Sequence, residues 1–532
     1  MNAMIFESSR PPITVPESTL SEYLLGSLDG REEKPAFIEG PTGRIVTYGQ
    51  LRDQAEAAAK GLSGCGLKRG GVVAISSPNM PEYAIAFHAI AMAGGCSTTL
   101  NPLNTEEELV HQLSDSDAGW IITIPPLLEK VQRAAAQVGI EEIFVFGEAD
   151  GVTSFTELIK TGMGMDVELD QGCVTAADIV TLPYSSGTTG RPKGVMLTHR
   201  NLVANIEQYL AADKIETDDV IIAVLPFFHI YGMVVVMSVC LREGATLVTM
   251  PRFDLEDFLH TIQKFKVNRA YVVPPIVLAL AKHPIVERYD LSSVEWVMSG
   301  AAPLGEEVAM ACQERLGCRV YQGYGLTEAS PVTHLCSKDV GPRKIATVGQ
   351  AVSNTETVII DLNSGEPVGP NQPGEIWVRG PQVMVGYLNN PEATARTVDE
   401  EGWLHTGDVG LIDEDGYLLI VDRAKELIKY KAFQVPPAEL EDVLLSHPSV
   451  ADVAVIPVPD EEAGEIPKAF VVLADPIGEE ELKAYVAERV APYKKVRLVE
   501  FTDEIPKSPS GKILRRLLVE QERAKLSDPS PF

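Results

Sequence analysis

Cysteine is scarce in this sequence, and what there is does not form a pattern. Seven cysteines occur among 532 residues, an odd number without a Cys-X-X-Cys pair. This argues against a disulfide framework and against a structural zinc site. Free cysteines of this kind usually pack as small apolar residues in a reducing compartment. We therefore expect a cytoplasmic protein in which most of the thiols are buried, the cysteines being Cys65, Cys96, Cys173, Cys240, Cys312, Cys318 and Cys336.

Positive charge is also in short supply. Lysine and arginine number 45 against 75 aspartate and glutamate residues, so the formal net charge is −30. A surface of this charge repels nucleic acid and anionic membranes and favours solubility. We therefore expect no nucleic-acid partner, and a polyanionic small substrate would have to meet a local cluster of basic residues. The proportions of apolar and charged residues are those of a globular protein, which argues against disorder.

Signals for targeting and for membrane insertion are lacking as well. The first residues have no basic stretch followed by an apolar run, and the last two match no peroxisomal or retention tail. Residues 221–241 are long and apolar enough to span a bilayer. However, Pro226, His229 and Gly232 interrupt them. We expect a strand, a turn and a buried helix there, and no stable membrane insertion.

The chain is too long for a single hydrophobic core, and its pattern changes twice. Strand-like and helical runs alternate through residues 1–330, which predicts α/β layers. Short strand-like runs separated by turn residues between 348 and 420 predict a small β-barrel-like subdomain. Beyond residue 423 the pattern indicates a compact α+β unit of about a hundred residues. We predict an N-terminal domain of residues 1–424 and a C-terminal domain of residues 425–532.

The strongest local signal is YSSGTTGRPKG at residues 184–194. It follows a strand-like run at 179–182 and precedes a helix that Thr198 would cap. Its glycines permit close approach of a ligand, its hydroxyls can donate hydrogen bonds, and Lys193 adds a cation. The spacing is not that of a Walker A loop. The segment predicts a phosphate cradle, with a flexible surface loop as the alternative.

This segment resembles the signature loop of the adenylate-forming superfamily of acyl-CoA synthetases, luciferases and adenylation domains. Further segments are similar to motifs of that superfamily, in the same order: YGLTE at 324–328, GWLHTGD at 402–408, VDRAKELIKYK at 421–431 and PKSPSGK at 506–512. QGYGLTEASPV, PFFHIYG and KYKAFQVPPAELE look closest to 4-coumarate:CoA ligases. The resemblance implies an enzyme that uses ATP and Mg²⁺ to form an acyl-adenylate and then passes the acyl group to coenzyme A.

The resemblance also implies a nucleotide site. Glu328 would hold Mg²⁺, since a carboxylate oxygen is the ligand that this ion prefers, and Thr327 would bond a phosphate. Asp408 would accept hydrogen bonds from the ribose hydroxyls. Adenine would lie against the backbone at Ala301 and the ring of Tyr324. The implied ATP- and AMP-binding residues are Ser185, Ser186, Gly187, Thr188, Thr189, Gly190, Lys193, Ala301, Gln322, Gly323, Tyr324, Thr327, Asp408 and Arg423.

In the enzymes that this sequence resembles, lysines act in both half-reactions, the formation of the acyl-adenylate and the transfer of the acyl group to coenzyme A. Lys512 would stabilise the negative charge that develops on the α-phosphate during adenylation. Lys425 matches a hinge about which the small domain turns. The turn would present a second catalytic face, which carries Lys429, Lys431 and Gln434.

Coenzyme A would meet the same second face. The resemblance gives Arg252, Lys431 and Ala432 contacts with this substrate. Ala432 is a departure, because related enzymes usually have glycine there. We expect its added methyl group to crowd the approach of the thiol or to constrain the backbone.

The acyl group would bind among small residues. A single histidine in an apolar segment usually packs in the core, but the resemblance implies that His229 lies where the carboxylate and the thiol approach. The phenol of Tyr231 suits hydrogen bonding or stacking with an aromatic ring. The pocket would accept a flat aromatic or an extended acyl group. Its implied residues are Tyr231, Ser299, Gly300, Ala301, Gly325, Pro331 and Val332.

Three hypotheses follow for the function. The first is a carboxylate:CoA ligase, monomeric or homodimeric, for a 4-coumarate-like, aryl or medium-chain acid. The second is an enzyme that hands the adenylate to a carrier protein, or to oxygen as luciferases do. The third is a nucleotide-binding protein without catalysis, which is disfavoured by the presence of Lys193, Glu328, Asp408, Lys425 and Lys512.

Overall fold

The structure is a computed structural model that describes most of the chain. Within the described part, the strands form four sheets, three before residue 424 and one after it. The described residues are 4–140, 142–166, 169, 174–185, 192–337, 344–431, 433–460, 462–508 and 511–527.

Two large sheets make up most of the N-terminal part. Their central strands are parallel and buried on both faces, which explains the continuous apolar sequences of strands such as Val72–Ser76 and Val220–Ala223. The first runs, in spatial order, Gly386–Tyr387, Lys193–Thr198, Ile179–Ser185, Cys96–Leu100, Val72–Ser76, Ala118–Thr123, Glu142–Val145 and Thr153–Ser154. The second runs Gln350–Ala351, Val332–Leu335, Arg319–Gly325, Trp296–Ser299, Arg269–Val272, Val220–Ala223, Thr246–Thr249, Pro35–Glu39 and Ile45–Thr47.

Helices connect these strands, and threonines begin several of them. Thr47, Thr105 and Thr198 each accept a hydrogen bond from the backbone of the third helical residue, whose own side chain bonds back to the threonine. This capping box satisfies N–H groups that the helix itself leaves unpaired. The α-helices of the N-terminal part are Leu20–Leu25, Tyr48–Gly64, Pro81–Met92, Glu106–Asp115, Leu128–Val138, Phe155–Met163, His199–Ala212, Val239–Glu243, Leu255–Phe265, Pro274–Lys282, Glu306–Leu316 and Pro391–Thr397.

The two smaller sheets follow. One is antiparallel and consists of Phe6–Glu7, Glu356–Ile360, Gly374–Arg379, Leu404–Ile412 and Leu418–Arg423. The last sheet contains Phe433–Val435, Ile428–Tyr430, Gly464–Leu473 and Val450–Asp460, with Leu498–Phe501 alongside Gly464–Leu473. It packs with the helices Pro437–Ser446, Glu479–Ala487 and Arg515–Ser527. The expected fold class, α/β layers and a small β-subdomain followed by an α+β unit, is confirmed.

The C-terminal part has a hydrophobic core of its own. Leu440 and Leu444 of its first helix are fully buried against the sheet, together with Val453 and Val471. Most apolar residues of the two large sheets belong to a different and much larger cluster, and the rest belong to a third one. Separate cores are the usual property of units that fold and move separately.

The long apolar segment at 221–241 is not one helix. The strand Val220–Ala223 leads through a turn to a π-helical stretch, Tyr231–Ser238, which continues as the α-helix Val239–Glu243. This is the arrangement that the breaking residues predicted. Among the described residues, no helix is long and apolar enough to cross a membrane.

Most of the thiols are buried, as expected. Cys96, Cys240, Cys312, Cys318 and Cys336 lie inside the protein as free thiols. Cys65 is exposed, because it directly follows the C-terminal end of the helix Tyr48–Gly64. Cys173 lies outside the described residues.

Candidate active site

The two strands that flank the glycine-rich segment bring its ends together. In the antiparallel pair Ile179–Ser185 and Lys193–Thr198, Ser185 lies directly opposite Lys193. A hydroxyl and a cation therefore meet at the base of the segment. Ser186, Gly187, Thr188, Thr189 and Gly190 lie outside the described residues, so their placement around a phosphate stays a prediction.

Glu328 is the centre of a cluster next to this base. Its Oε1 accepts hydrogen bonds from Ser185 Oγ at 2.9 Å and from the hydroxyl of Tyr387 at 2.7 Å. Lys193 Nζ lies 4.1 Å from the centroid of the Tyr387 ring. Burial lowers the pKa of Lys193, and the Lys425 charge acts in the same direction, whereas Glu328 opposes it. Lys425, exposed and two residues after Arg423, is thus close enough to act on this site.

The cluster suits a magnesium ion that arrives with ATP. Such an ion is usually held by one or two carboxylates together with substrate phosphates and water. Glu328 supplies one half-buried carboxylate, and Thr327 begins the same short 3₁₀ turn. No group of three or more metal-binding side chains occurs among the residues that the structure describes. The side chains present therefore fit an ion held jointly by Glu328 and the phosphates of ATP better than an ion held by protein ligands alone.

Asp408 and Arg423 form the second polar group of the site. They are opposite each other on neighbouring strands, and Arg423 Nε lies 3.1 Å from Asp408 Oδ1. The hydroxyl of Tyr324 donates to Asp408 Oδ2 at 2.6 Å. Burial raises the pKa of the Asp408 carboxyl, although Arg423 and Tyr324 lower it. The arrangement is an oriented acceptor beside an aromatic ring, which suits a nucleoside.

A loop after the strand Trp296–Ser299 borders the Tyr324 side of the site. Ala301 is exposed there and has a left-handed backbone with φ of 71°, a conformation that non-glycine residues adopt mainly at functional or strained positions. Gln322 lies beneath the loop. Its buried amide bonds both backbone groups of Leu304, and it also donates to the carbonyl of Ile345. In this geometry Gln322 braces the loop that carries Ala301.

The residues expected around the acyl group form two sets on neighbouring parts of the second large sheet. The ring of Tyr231 packs against Gly300, where an added Cβ would come within 3.0 Å of it. The Tyr231 hydroxyl donates to Met298, and the buried Ser299 hydroxyl has no hydrogen-bond partner among the described residues. On the adjacent strand pair, close to Gly323, lie Gly325, Pro331 and Val332.

Lys512 reaches this region from the C-terminal part. The preceding Gly511 packs against Val273, which directly follows the strand Arg269–Val272. Burial, and then the charge of Arg423, lower the pKa of Lys512 to about 8, although Glu426 and Asp408 raise it. Lys512 is therefore a half-buried cation beside the expected ribose site.

His229 is near enough to Lys512 for that charge to act on its imidazole. Its Nδ1 accepts a hydrogen bond from the backbone N–H of Tyr231. Burial, and then the charge of Lys512, lower the pKa of His229 to about 4, so the imidazole is neutral at pH 7. A neutral imidazole next to a cation can accept or donate a hydrogen bond without adding charge.

An ion-pair network that the motifs did not predict holds the Lys512 loop. Arg515 donates to both oxygens of Glu441 and pairs with Glu426. Asp422 accepts a hydrogen bond from the backbone N–H of Ala438 at 2.9 Å. The network ties the final helix to the residues on either side of the predicted domain boundary. The only sequence signal was an arginine three residues after Lys512.

The residues expected to serve coenzyme A are not brought to this site. Lys429, Lys431 and Gln434 are exposed on the hairpin formed by Ile428–Tyr430 and Phe433–Val435. Lys431 Nζ pairs with Glu462 at 2.8 Å, within the C-terminal part. Arg252 is exposed after the strand Thr246–Thr249, and Ala432 lies outside the described residues.

Comparison with known proteins identifies the family. Residues 27–388 match the AMP-binding enzyme family, and residues 439–512 match the AMP-binding enzyme C-terminal domain. The first match covers well over half of the chain. The protein therefore belongs to the family of AMP-binding enzymes.

Curated relatives and solved structures agree with this assignment. The chain is 45% identical to 4-coumarate–CoA ligase 1 of Petroselinum crispum and to 4-coumarate–CoA ligase 1 of Solanum tuberosum, over 96% of both chains in each case. It also resembles the anthranilate CoA ligase AuaEII in complex with anthranoyl-AMP, with a TM-score of 0.90, 26% identity and coverage of 97% and 99%. ATP-bound MatB from Rhodopseudomonas palustris gives a TM-score of 0.86 at 28% identity, with coverage of 95% and 99%.

Proposed function

We propose that this protein is an ATP-dependent carboxylate:CoA ligase. The observation that carries the proposal is Asp408 held by Tyr324 and Arg423, with Lys512 near enough for its charge to act on Asp408 and on His229, in a chain of this family. The relatives named 4-coumarate–CoA ligase support the same activity. We propose a cytoplasmic enzyme, monomeric or homodimeric, and the buried free thiols are consistent with a reducing compartment.

In the first half-reaction, a carboxylate oxygen of the acid attacks the α-phosphorus of ATP, and pyrophosphate leaves. Negative charge grows on the α-phosphate oxygens, and a fixed cation lowers the barrier. Lys512 takes this role. Asp408 orients the ribose, while Lys193 and the glycine-rich segment receive the pyrophosphate. Glu328 would hold Mg²⁺ together with the phosphates, and the ion would supply positive charge to stabilise the leaving group.

In the second half-reaction, the thiolate sulfur of coenzyme A attacks the acyl carbonyl carbon, and AMP leaves. Its residues are Lys429, Lys431 and Gln434, so the C-terminal domain has to turn. We propose that residues 425–532 turn about Lys425 relative to residues 1–424. The separate cores support this division. Exposed basic residues on the turned face, together with Arg252, provide the local positive charge that coenzyme A requires in a protein of net charge −30.

The acid is proposed to be 4-coumarate or a similar aryl-propenoate. The names of the relatives support this class. The ring of Tyr231 against Gly300 forms a flat surface suited to an aromatic acid. Medium-chain acids are the alternative within the same site.

The proposal is tested by measuring acid-dependent pyrophosphate release with cinnamates, benzoates and fatty acids, with and without coenzyme A. We expect the cinnamates to give the highest kcat/KM, and coenzyme A to convert a single turnover into continuous release. Release that is independent of coenzyme A and continuous would favour transfer to another acceptor. The absence of release with every acid would contradict the proposal.

A further inference from the structure

Tyr387 occupies a place that none of the family motifs above assigns to it. Its hydroxyl donates to Glu328, the expected magnesium ligand, at 2.7 Å, and its ring face lies beneath Lys193, the expected phosphate cation, at 4.1 Å. One side chain thus contacts both groups that would meet the phosphates. Only 5% of Tyr387 is exposed.

Hydrogen bonds on both sides fix the backbone that carries this ring. The N–H of Met384 donates to the carbonyl of Glu328 at 2.9 Å, and the N–H of Leu388 donates to the carbonyl of Gly194 at 2.8 Å. The N–H of Tyr387 itself donates to Thr394 Oγ1 at 2.9 Å. The segment 384–388 therefore joins the turn of Glu328 to the strand of Lys193, and it holds the backbone of Tyr387 between them.

The Tyr387 side chain prevents a direct ion pair between Lys193 and Glu328. A lysine and a carboxylate in a half-buried site attract each other strongly. If Lys193 and Glu328 formed an ion pair, the carboxylate would not be available to bind a metal ion, and the ammonium would not be available to bind a phosphate. An aromatic face attracts the cation, and a phenolic hydroxyl donates to the carboxylate, so Tyr387 satisfies both groups separately.

We propose that Tyr387 is a positioning residue that keeps Lys193 and Glu328 apart and ready for the phosphates and magnesium of MgATP. This inference rests on the proposed function for the identity of the ligand. It assigns Tyr387 no contact with the reacting atoms. Its effect is on the affinity of the site for MgATP and on the Mg²⁺ concentration that the reaction needs.

The test compares Tyr387→Phe with the wild-type protein. The phenylalanine retains the ring beneath Lys193 and removes the hydrogen bond to Glu328. We expect the Mg²⁺ concentration for half-maximal pyrophosphate release to rise about two- to tenfold, the range for loss of one hydrogen bond. Calorimetric titration should give a matching loss of MgATP affinity, while the affinity for ATP without Mg²⁺ stays unchanged. Tyr387→Leu, which also removes the ring, should weaken ATP binding in both conditions.

The chain offers a matched control in Tyr23. Its hydroxyl donates to Glu207 at 2.5 Å, and Arg242 lies 4.3 Å from its ring centroid, so it has the same pair of interactions far along the chain from the site. Tyr23→Phe should leave the Mg²⁺ dependence unchanged. In a Glu328→Gln background, Tyr387→Phe should have no further effect on it.

Two outcomes separate this inference from the proposed function. If Tyr387→Phe changes the melting temperature or kcat but neither the Mg²⁺ dependence nor MgATP affinity, Tyr387 is merely structural and the inference is wrong. If the wild-type protein binds MgATP but releases no pyrophosphate with any acid, the proposed function fails, and the calorimetric comparison still decides the role of Tyr387.

Discussion

The nucleotide side of the site and the C-terminal hairpin differ in how far they are organised without a ligand. On the nucleotide side, Tyr324 and Arg423 already bond Asp408, which is buried. On the hairpin, Lys429 and Lys431 are exposed, and their contacts are to residues of the C-terminal part. Under the proposed function, this arrangement is the one expected for adenylation, and the thiol step would need a different orientation of the hairpin.

The largest expected effect is that of Lys512→Ala. Removal of the cation beside the α-phosphate should lower acid-dependent pyrophosphate release about 10²–10³-fold, the usual loss for one such group. ATP binding should persist, and thioester formation from preformed acyl-adenylate should change much less. Stopped-flow detection of pyrophosphate measures the first step. If release stays near the wild-type rate, Lys512 does not have the assigned role.

The second effect is a loss of adenylation at high pH. Because the pKa of Lys512 is lowered to about 8, its cation is lost as pH rises through that value. The rate of pyrophosphate release should therefore fall, approaching tenfold per pH unit above about 9. The arginine of Lys512→Arg stays charged at high pH, so the fall in rate above about pH 9 should disappear in this variant, whatever its rate at pH 7. If the same fall persists in Lys512→Arg, the titrating group is not Lys512.

The third effect concerns the hairpin. Lys431→Ala should slow thioester formation from preformed adenylate about tenfold, equivalent to about 1.4 kcal/mol, and should affect adenylation less. Lys266→Ala is a matched control, because both lysines have a left-handed backbone and pair with a surface carboxylate. Equal losses in both half-reactions would refute the division into two faces.

The smallest effect tests the docking of the C-terminal part. A Cβ at Gly305 would lie 1.4 Å from Asp442 Oδ1, so Gly305→Ala should disturb the contact of the helix Pro437–Ser446. We expect a loss of adenylation of about threefold, under 1 kcal/mol, with the thiol step spared. Gly478→Ala, also before a helix but with open space around it, should have no such effect.

The docking contact can be tested by rescue as well. Asp442→Ala in the Gly305→Ala background should restore adenylation, since it removes the atoms that the new methyl group meets. Failure of the rescue would mean that the loss comes from the start of the helix Glu306–Leu316 itself.

Much of the fold could be predicted from the sequence, because local patterns determine it. The breaking residues Pro226 and Gly232 predicted that 221–241 is not a single helix, and Thr198 predicted a helix start. The change to short strands after residue 348 predicted the antiparallel subdomain. These predictions depend on neighbours along the chain, which a sequence contains directly.

The site was harder, because its contacts join distant residues. Motifs named Glu328 and Lys193 singly, but nothing in the sequence places Tyr387 between them, since this depends on the pairing of the two-residue strand Gly386–Tyr387. Similarly, Gln322 was expected at the nucleotide, whereas its amide bonds Leu304 and Ile345, a matter of packing beneath a loop. The residue types in the motifs indicated the chemistry of the site, whereas the positions of the side chains depended on strand register and packing.

The most direct test of the two half-reactions is a rapid-quench time course with wild-type enzyme, 4-coumarate and ATP. The amounts of acyl-adenylate and thioester are each measured in every sample. Without coenzyme A, the adenylate should accumulate to the concentration of active sites and stay bound. After addition of coenzyme A, it should disappear at the rate at which thioester appears. Thioester that forms without a preceding adenylate, or adenylate that coenzyme A does not consume, would contradict the account.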